Sequence, residues 1–147
     1  MNSGAEANET AIKLARKWGY EKKGIPPNSA VIVAAKKNFH GRTTTIISAS
    51  SYPSATNNFG PFMPGFSIID YDDVGAIEKA LSDPCVCGLW LEPIQGEAGV
   101  YVPHDGYLKA AAAACKRNNV LLMMDEIQTG IARTGKMLAA DHESVRP

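Results

Sequence analysis

Leu121-Leu122-Met123-Met124-Asp125-Glu126-Ile127-Gln128-Thr129-Gly130 is the stretch whose reading decides the fold. An apolar run of strand length breaks abruptly into two acids, an amide and a glycine. A carboxylate at the end of a hydrophobic strand is costly to bury unless a cation meets it. Open α/β sheets bind ligands in the crevice outside the carboxyl ends of their strands. Asp125 is therefore the first candidate for holding a positively charged atom of a cofactor.

Working outward, three more runs of strand length precede it. Residues 30–34 are apolar throughout and read as a buried parallel strand. Residues 66–69 read as a second strand, and residues 86–91, ending in Glu92-Pro93, as a third; residues 120–124 deliver Asp125. Helical segments lie between them. Ser3 and Glu6 have capping-box spacing, and Ala11, Leu14, Ala15 and Trp18 recur at the period of one helix face, with Gly24 as the stop. Asp72 or Asp73 caps a short helix with Val74, Ile77 and Leu81 on one face, and Asp105 caps an alanine-rich helix through Arg117. Residues 43–50 fit a strand or a short helix, and residues 51–64 form a long irregular segment of the kind that carries function. Strand and helix alternate at βαβ spacing, so the predicted class is α/β, a mostly parallel sheet with helices on both faces.

Composition narrows the function. Lys+Arg and Asp+Glu balance at 15 each, which removes the basic footprint of a nucleic-acid partner. No run of about 18 apolar residues exists, so no membrane-spanning helix is expected. Cys85-Val-Cys87 is too short for zinc spacing and has no histidine nearby; with Cys115 it reads as buried free thiols rather than a metal site. The chain opens on a helix start and stops at Arg146-Pro147, which predicts a piece of a longer protein.

Four strand or helix ends carry candidate chemistry. The turn Ser3-Gly4-Ala5 is an anion site if its backbone N–H groups stay free, or simply a capped helix if they do not. It is neither a dinucleotide fingerprint nor a Walker A loop. In Phe39-His40-Gly41-Arg42 the ring can stack on a planar ligand and the guanidinium can grip a carboxylate; the alternative is a core Phe and a solvated Arg, with His40 structural. Glu92 and Glu97 place two carboxylates at one strand exit, suited to acid–base work or amine capture, or to nothing more than a polar loop. Asp125 and Gln128 are spaced so that one turn presents both to one ligand. A phosphate cradle, an aromatic plate, an arginine and an aspartate together fit one planar, phosphorylated, cationic cofactor, and pyridoxal 5′-phosphate has each of those features.

The motifs Asn2-Ser-Gly-Ala-Glu-Ala-Asn8, Phe39-His-Gly-Arg-Thr43, Glu92-Pro-Ile-Gln-Gly-Glu-Ala-Gly99 and Asp125-Glu-Ile-Gln-Thr-Gly130 resemble, in order and spacing, those of the class III pyridoxal-phosphate aminotransferases. The resemblance runs the whole length of the chain. Lys13-Leu-Ala-Arg-Lys-Trp-Gly-Tyr20, Phe59-Gly-Pro-Phe-Met-Pro-Gly65 and Gly130-Ile-Ala-Arg-Thr-Gly135 narrow it to the branch that handles ornithine. It implies part of the large domain of the fold type I, aspartate aminotransferase-like transferases, with pyridoxal 5′-phosphate as cofactor. Gly4 and Ala5 would bind its phosphate, Phe39 would stack on its ring, Asp125 would pair with the ring nitrogen and Gln128 would contact the phenolic oxygen. Arg42 would bind the substrate α-carboxylate, Glu97 would alternate between substrates by pairing with an arginine further along, and Glu92 would support the site.

The implied reaction moves the δ-amine of ornithine to 2-oxoglutarate, giving glutamate semialdehyde and glutamate. N-acetylornithine or another ω-amine as donor is the alternative, and a non-catalytic truncated product is another. The partners implied are small amino and 2-oxo acids and a second copy in a homodimer or larger homo-oligomer, in the cytoplasm or the mitochondrial matrix. The family's Schiff-base lysine sits in a Gly-Lys motif on a later strand, past Pro147, and Lys136 reads as a surface residue. The N-terminal segment and the small C-terminal domain are likewise expected outside these residues. The 147 residues by themselves are expected not to transaminate.

Overall fold

The apolar runs become strands in a computed structural model that describes residues 1–147. β1 (Val31–Ala35), β2 (Phe66–Ile69), β3 (Val86–Leu91) and β4 (Leu121–Met124) form one sheet in the order β2-β1-β3-β4, every neighbour parallel. The chain leaves β1 for one edge and then crosses back to the other side. The strand order therefore reverses between β1 and β3, and the crevice expected of a doubly wound sheet opens there. β3 is buried at every position, as a strand covered on both faces must be.

α1 (Gly4–Trp18) starts with the predicted capping box, Ser3 accepting from the Glu6 N–H and Glu6 reaching back to the Ser3 N–H. It runs on into a π-helical turn, Gly19–Lys23, that ends at Gly24 in the left-handed region (φ 81°). At Gly19 the helix approaches β3 so closely that a Cβ would lie 2.8 Å from the Cys87 Cβ. α1 buries Asn8, Ile12 and Ala15, whereas Leu14 points outward at 63% exposure. The predicted stripe was misphased because the real one passes through a polar residue, Asn8, whose hydrogen bonds make its burial acceptable.

Ile12 and Ala15 pack with Ile32, Ala34, Cys87 and Trp90 on one face of the sheet. On the other, Val33, Leu89 and Leu91 meet α4 (Val74–Leu81) through Ile77 and Leu81, and α5 (Tyr107–Arg117) through Leu108, Ala111 and Cys115. Asp73 caps α4 by accepting from the Ala76 N–H. Val74 stays 37% exposed, outside the face expected of it. Asp105 does not cap α5; that position belongs to Gly106, in the left-handed region with no side-chain cap. Residues 43–50 resolve as a one-turn helix, α2 (Thr44–Ile47), and a second single turn, α3 (Pro53–Thr56), lies in the irregular segment. A 3-10 turn, Ala139–Glu143, closes the C-terminal stretch, where no element was expected. No helix is long and apolar enough to cross a membrane.

Candidate functional site

The Asp125 backbone N–H donates to Leu91 O (2.8 Å), extending the β3–β4 ladder one residue past the strand and aiming the side chain into the crevice. Its Oδ2 accepts from His40 Nδ1 and from Asn8 Nδ2, each at 2.7 Å, and its Oδ1 accepts from the Ile127 N–H at 3.1 Å. Burial alone would raise the carboxyl; the hydrogen bonds from His40, Asn8 and the Ile127 N–H outweigh it and hold Asp125 below the ordinary carboxylate value. His40 is held below its own ordinary value, chiefly by burial and against the pull of Asp125. A neutral imidazole thus donates to a carboxylate that stays charged.

A cavity of about 170 Å³ lies over this carboxylate. Gly4, Ala5, Phe39, Asp125 and Gln128 all line it, as do Glu92 and Ile127. At its α1 end the capping box occupies the N–H groups of Asn2, Ser3 and Glu6, while those of Gly4 and Ala5 have no partner in the chain. The cap and an anion site are therefore not alternatives here: the box leaves unpaired the N–H groups of Gly4 and Ala5, two residues that line the cavity, at the positive end of a 15-residue helix. Gly4 also lets Ile127 lie against the helix start, for a Cβ at Gly4 would come within 2.9 Å of the Ile127 side chain. Ile127 stands 63% exposed, an apolar surface lining the same cavity as Phe39.

Glu92, at the exit of β3, is buried and accepts the Phe39 N–H (3.1 Å). Burial pushes its carboxyl up to about 7, with nearby Asp125 and Glu97 adding to the rise and backbone N–H donors opposing it. Tyr71 holds the same exit, its hydroxyl shared between the Glu92 and Pro93 carbonyls (3.1 and 3.0 Å).

A second cavity, about 440 Å³, adjoins the first and shares Phe39, His40 and Gly41 as a common wall. Arg42 and Glu97 line it together with Tyr52 and Phe59. The Arg42 guanidinium sits 5.7 Å from the Phe39 ring centroid, and Gln128 Nε2 donates to Glu97 Oε1 at 3.2 Å, joining the two cavities. The expected cofactor residues thus gather in one cavity and the expected substrate residues in the other. No lysine lines either; Lys136 is exposed and donates to the Asp141 carbonyl.

Sequence reasoning left out Asn8 and Ile127 and read His40 as structural. Asn8 lies four residues from Gly4, on the same helical face, and that spacing was the signal available. His40 could not be placed, because its partner lies 85 residues away. Residues with free N–H groups, apolar side chains and a charged carboxylate thus line one cavity. Such a lining suits a planar ligand that carries both an anionic group and a cationic atom.

A family model described as aminotransferase class-III matches residues 1–147. The mitochondrial ornithine aminotransferase of Drosophila melanogaster is 59% identical over 147 residues, which cover 100% of this chain and 34% of that protein. An ornithine aminotransferase from Toxoplasma gondii, solved with partial occupancy of PLP at its active site, superposes with a TM-score of 0.99 at 59% identity, covering 100% of this chain and 34% of that one. An acetylornithine aminotransferase from Elizabethkingia anophelis superposes with a TM-score of 0.82 at 56% identity, over 100% and 35% of the two chains. The chain spans about a third of the length of the curated relatives it matches.

Proposed function

Since the chain belongs to the class-III aminotransferase family, we propose that it forms part of the large, cofactor-binding domain of an ornithine aminotransferase. The whole enzyme would move the δ-amino group of ornithine to 2-oxoglutarate. The observation that carries this reading is the single cavity that collects Gly4, Ala5, Phe39, Asp125 and Gln128 from three separate stretches of sequence.

The donor set fits pyridoxal 5′-phosphate. The free Gly4 and Ala5 N–H groups would hold the phosphate, with the helix dipole adding to the attraction. Phe39 and Ile127 would contact the ring, Gln128 would donate to the phenolic oxygen, and Asp125 would keep the ring nitrogen protonated. When bound, the cofactor supplies the electron sink for amine transfer. In the adjoining cavity Arg42 would grip the substrate carboxylate through its planar fork. Glu97 would meet either the substrate's cationic end or an arginine from elsewhere in the protein. Phe39, shared by both cavities, sets where substrate and cofactor meet, and Glu92 fixes Phe39 by its backbone.

The lysine that carries the Schiff base is expected outside residues 1–147, together with a small domain, in a homodimer or larger homo-oligomer. The mitochondrial matrix or the cytosol is the proposed compartment, the first because the Drosophila relative is mitochondrial. A second reading, N-acetylornithine as donor, is supported by the Elizabethkingia anophelis structure. Turnover of the full-length protein with each donor separates the two. Ornithine should be preferred, and a preference for N-acetylornithine would favour the second reading. The 147 residues alone should turn over neither, and turnover by them would contradict the placement of the lysine.

A further inference from the structure

Trp90 is 1% exposed, one residue before the end of β3, and its indole N–H is a donor with no acceptor counterpart. It donates to Asn8 Oδ1 at 3.1 Å. That one contact settles which way round the Asn8 amide lies, since the reversed amide would set N–H against N–H. With Oδ1 facing Trp90, both Nδ2 hydrogens have fixed destinations, the His40 carbonyl at 2.9 Å and Asp125 Oδ2 at 2.7 Å. One buried amide thereby ties α1 to β3 and to the exits of β1 and β4.

His40 is fixed by the same indole. Its ring stacks on Trp90 with centroids 3.8 Å apart and planes 16° apart, and its side chain is fully buried. Nδ1 points at Asp125, while Nε2 is buried with no partner. A buried N–H without an acceptor is costlier than a bare lone pair against apolar surroundings, so the proton belongs on Nδ1. Asp125 Oδ2 then takes two donors, and Oδ1 takes only the Ile127 N–H. The remaining Oδ1 lone pair is the one left for a ligand.

We propose that Asn8 and Trp90 are positioning residues of the cofactor site: the indole N–H orients the Asn8 amide, the indole face orients His40, and the two together present Asp125 as an aimed carboxylate. This rests on the reading of Asp125 as the partner of the ring nitrogen. It extends the site to Trp90, which lines neither cavity and acts through Asn8 and His40, which line the first.

The test uses the full-length protein and two measurements, the ¹⁵N shifts of the His40 ring without cofactor and the affinity for pyridoxal 5′-phosphate with its ring nitrogen labelled. The parent should show His40 protonated on Nδ1 alone and a protonated ring nitrogen. Trp90→Phe keeps an aromatic ring in the stack but removes the five-membered ring with its N–H; it should mix the His40 tautomers and weaken cofactor binding about three-fold. Asn8→Ala should weaken it about ten-fold, as loss of a hydrogen bond to a charged group does, and leave the ring nitrogen partly deprotonated. Asn8→Asp should be worse than Asn8→Ala, because it turns an acceptor toward Asp125. A purely structural role would lower stability without moving the tautomer or the ring-nitrogen shift.

His40 shifts and cofactor affinity unchanged in Trp90→Phe and Asn8→Ala, while Asp125→Asn weakens binding, would overturn the inference and leave the Asp125 assignment standing. Should Asn8→Ala not fold, Trp90→Phe decides alone. Unchanged binding in Asp125→Asn would instead overturn the assignment of Asp125, and with it the cofactor half of the inference.

Discussion

Glu92 carries a pH dependence of its own. Its carboxyl is pushed from 4.5 to about 7 by burial. Between those values the folded protein holds a proton that the unfolded chain has released, so Glu92 makes the fold less stable as pH rises through that window. Glu92→Gln can still accept the Phe39 N–H and has nothing to ionise. Its melting temperature relative to the parent should climb from pH 4.5 to above 7, and a constant difference across that range would remove this role. His40 and Asp125 act in the opposite sense. Both are held below their ordinary values, so each favours the fold at higher pH and that contribution fades on acidification. Of these residues, Asp125 was legible in the sequence because a carboxylate ending an apolar run is an anomaly that needs a reason. His40 and Asn8 were not, for their meaning lies in partners 85 and 117 residues away.

At the scale of elements, the strands were legible because β3 and its neighbours are short, apolar and bounded by Pro, Gly and charged residues. α1 was legible as a helix but not in its phase, since the buried stripe contains a polar residue that only tertiary hydrogen bonds justify. The 3-10 turn Ala139–Glu143 was invisible because what makes it is remote: Glu126 accepts the N–H groups of Ala139 and Ala140, each at 2.9 Å. The same carboxylate accepts from the Thr129 hydroxyl, so Glu126 ties the turn that carries Asp125 and Gln128 to the C-terminal segment. Glu126→Ala leaves two backbone donors without their partner and should cost about 2 kcal/mol of stability, read by denaturant unfolding. It should also loosen Gln128, seen as faster hydrogen exchange of residues 126–130. A loss below about 0.5 kcal/mol would show that water replaces Glu126 without penalty.

For the whole molecule, the α/β class followed from the alternation of elements, but the order β2-β1-β3-β4 did not. Strand order depends on contacts between residues far apart in sequence, which periodicity does not report. That order is what makes the site, for it opens the crevice between β1 and β3 and brings the exits of β1, β3 and β4 to the first turn of α1. Two cores, one on each face of the sheet, hold those exits in place. The central claim is that this frame seats pyridoxal 5′-phosphate with its ring nitrogen on Asp125. It is tested most directly by titrating the cofactor into the full-length protein and its Asp125→Asn variant and comparing dissociation constants. Removing one partner of a buried charge pair should weaken binding by about a hundred-fold or more. Equal affinity in the two proteins would contradict the account.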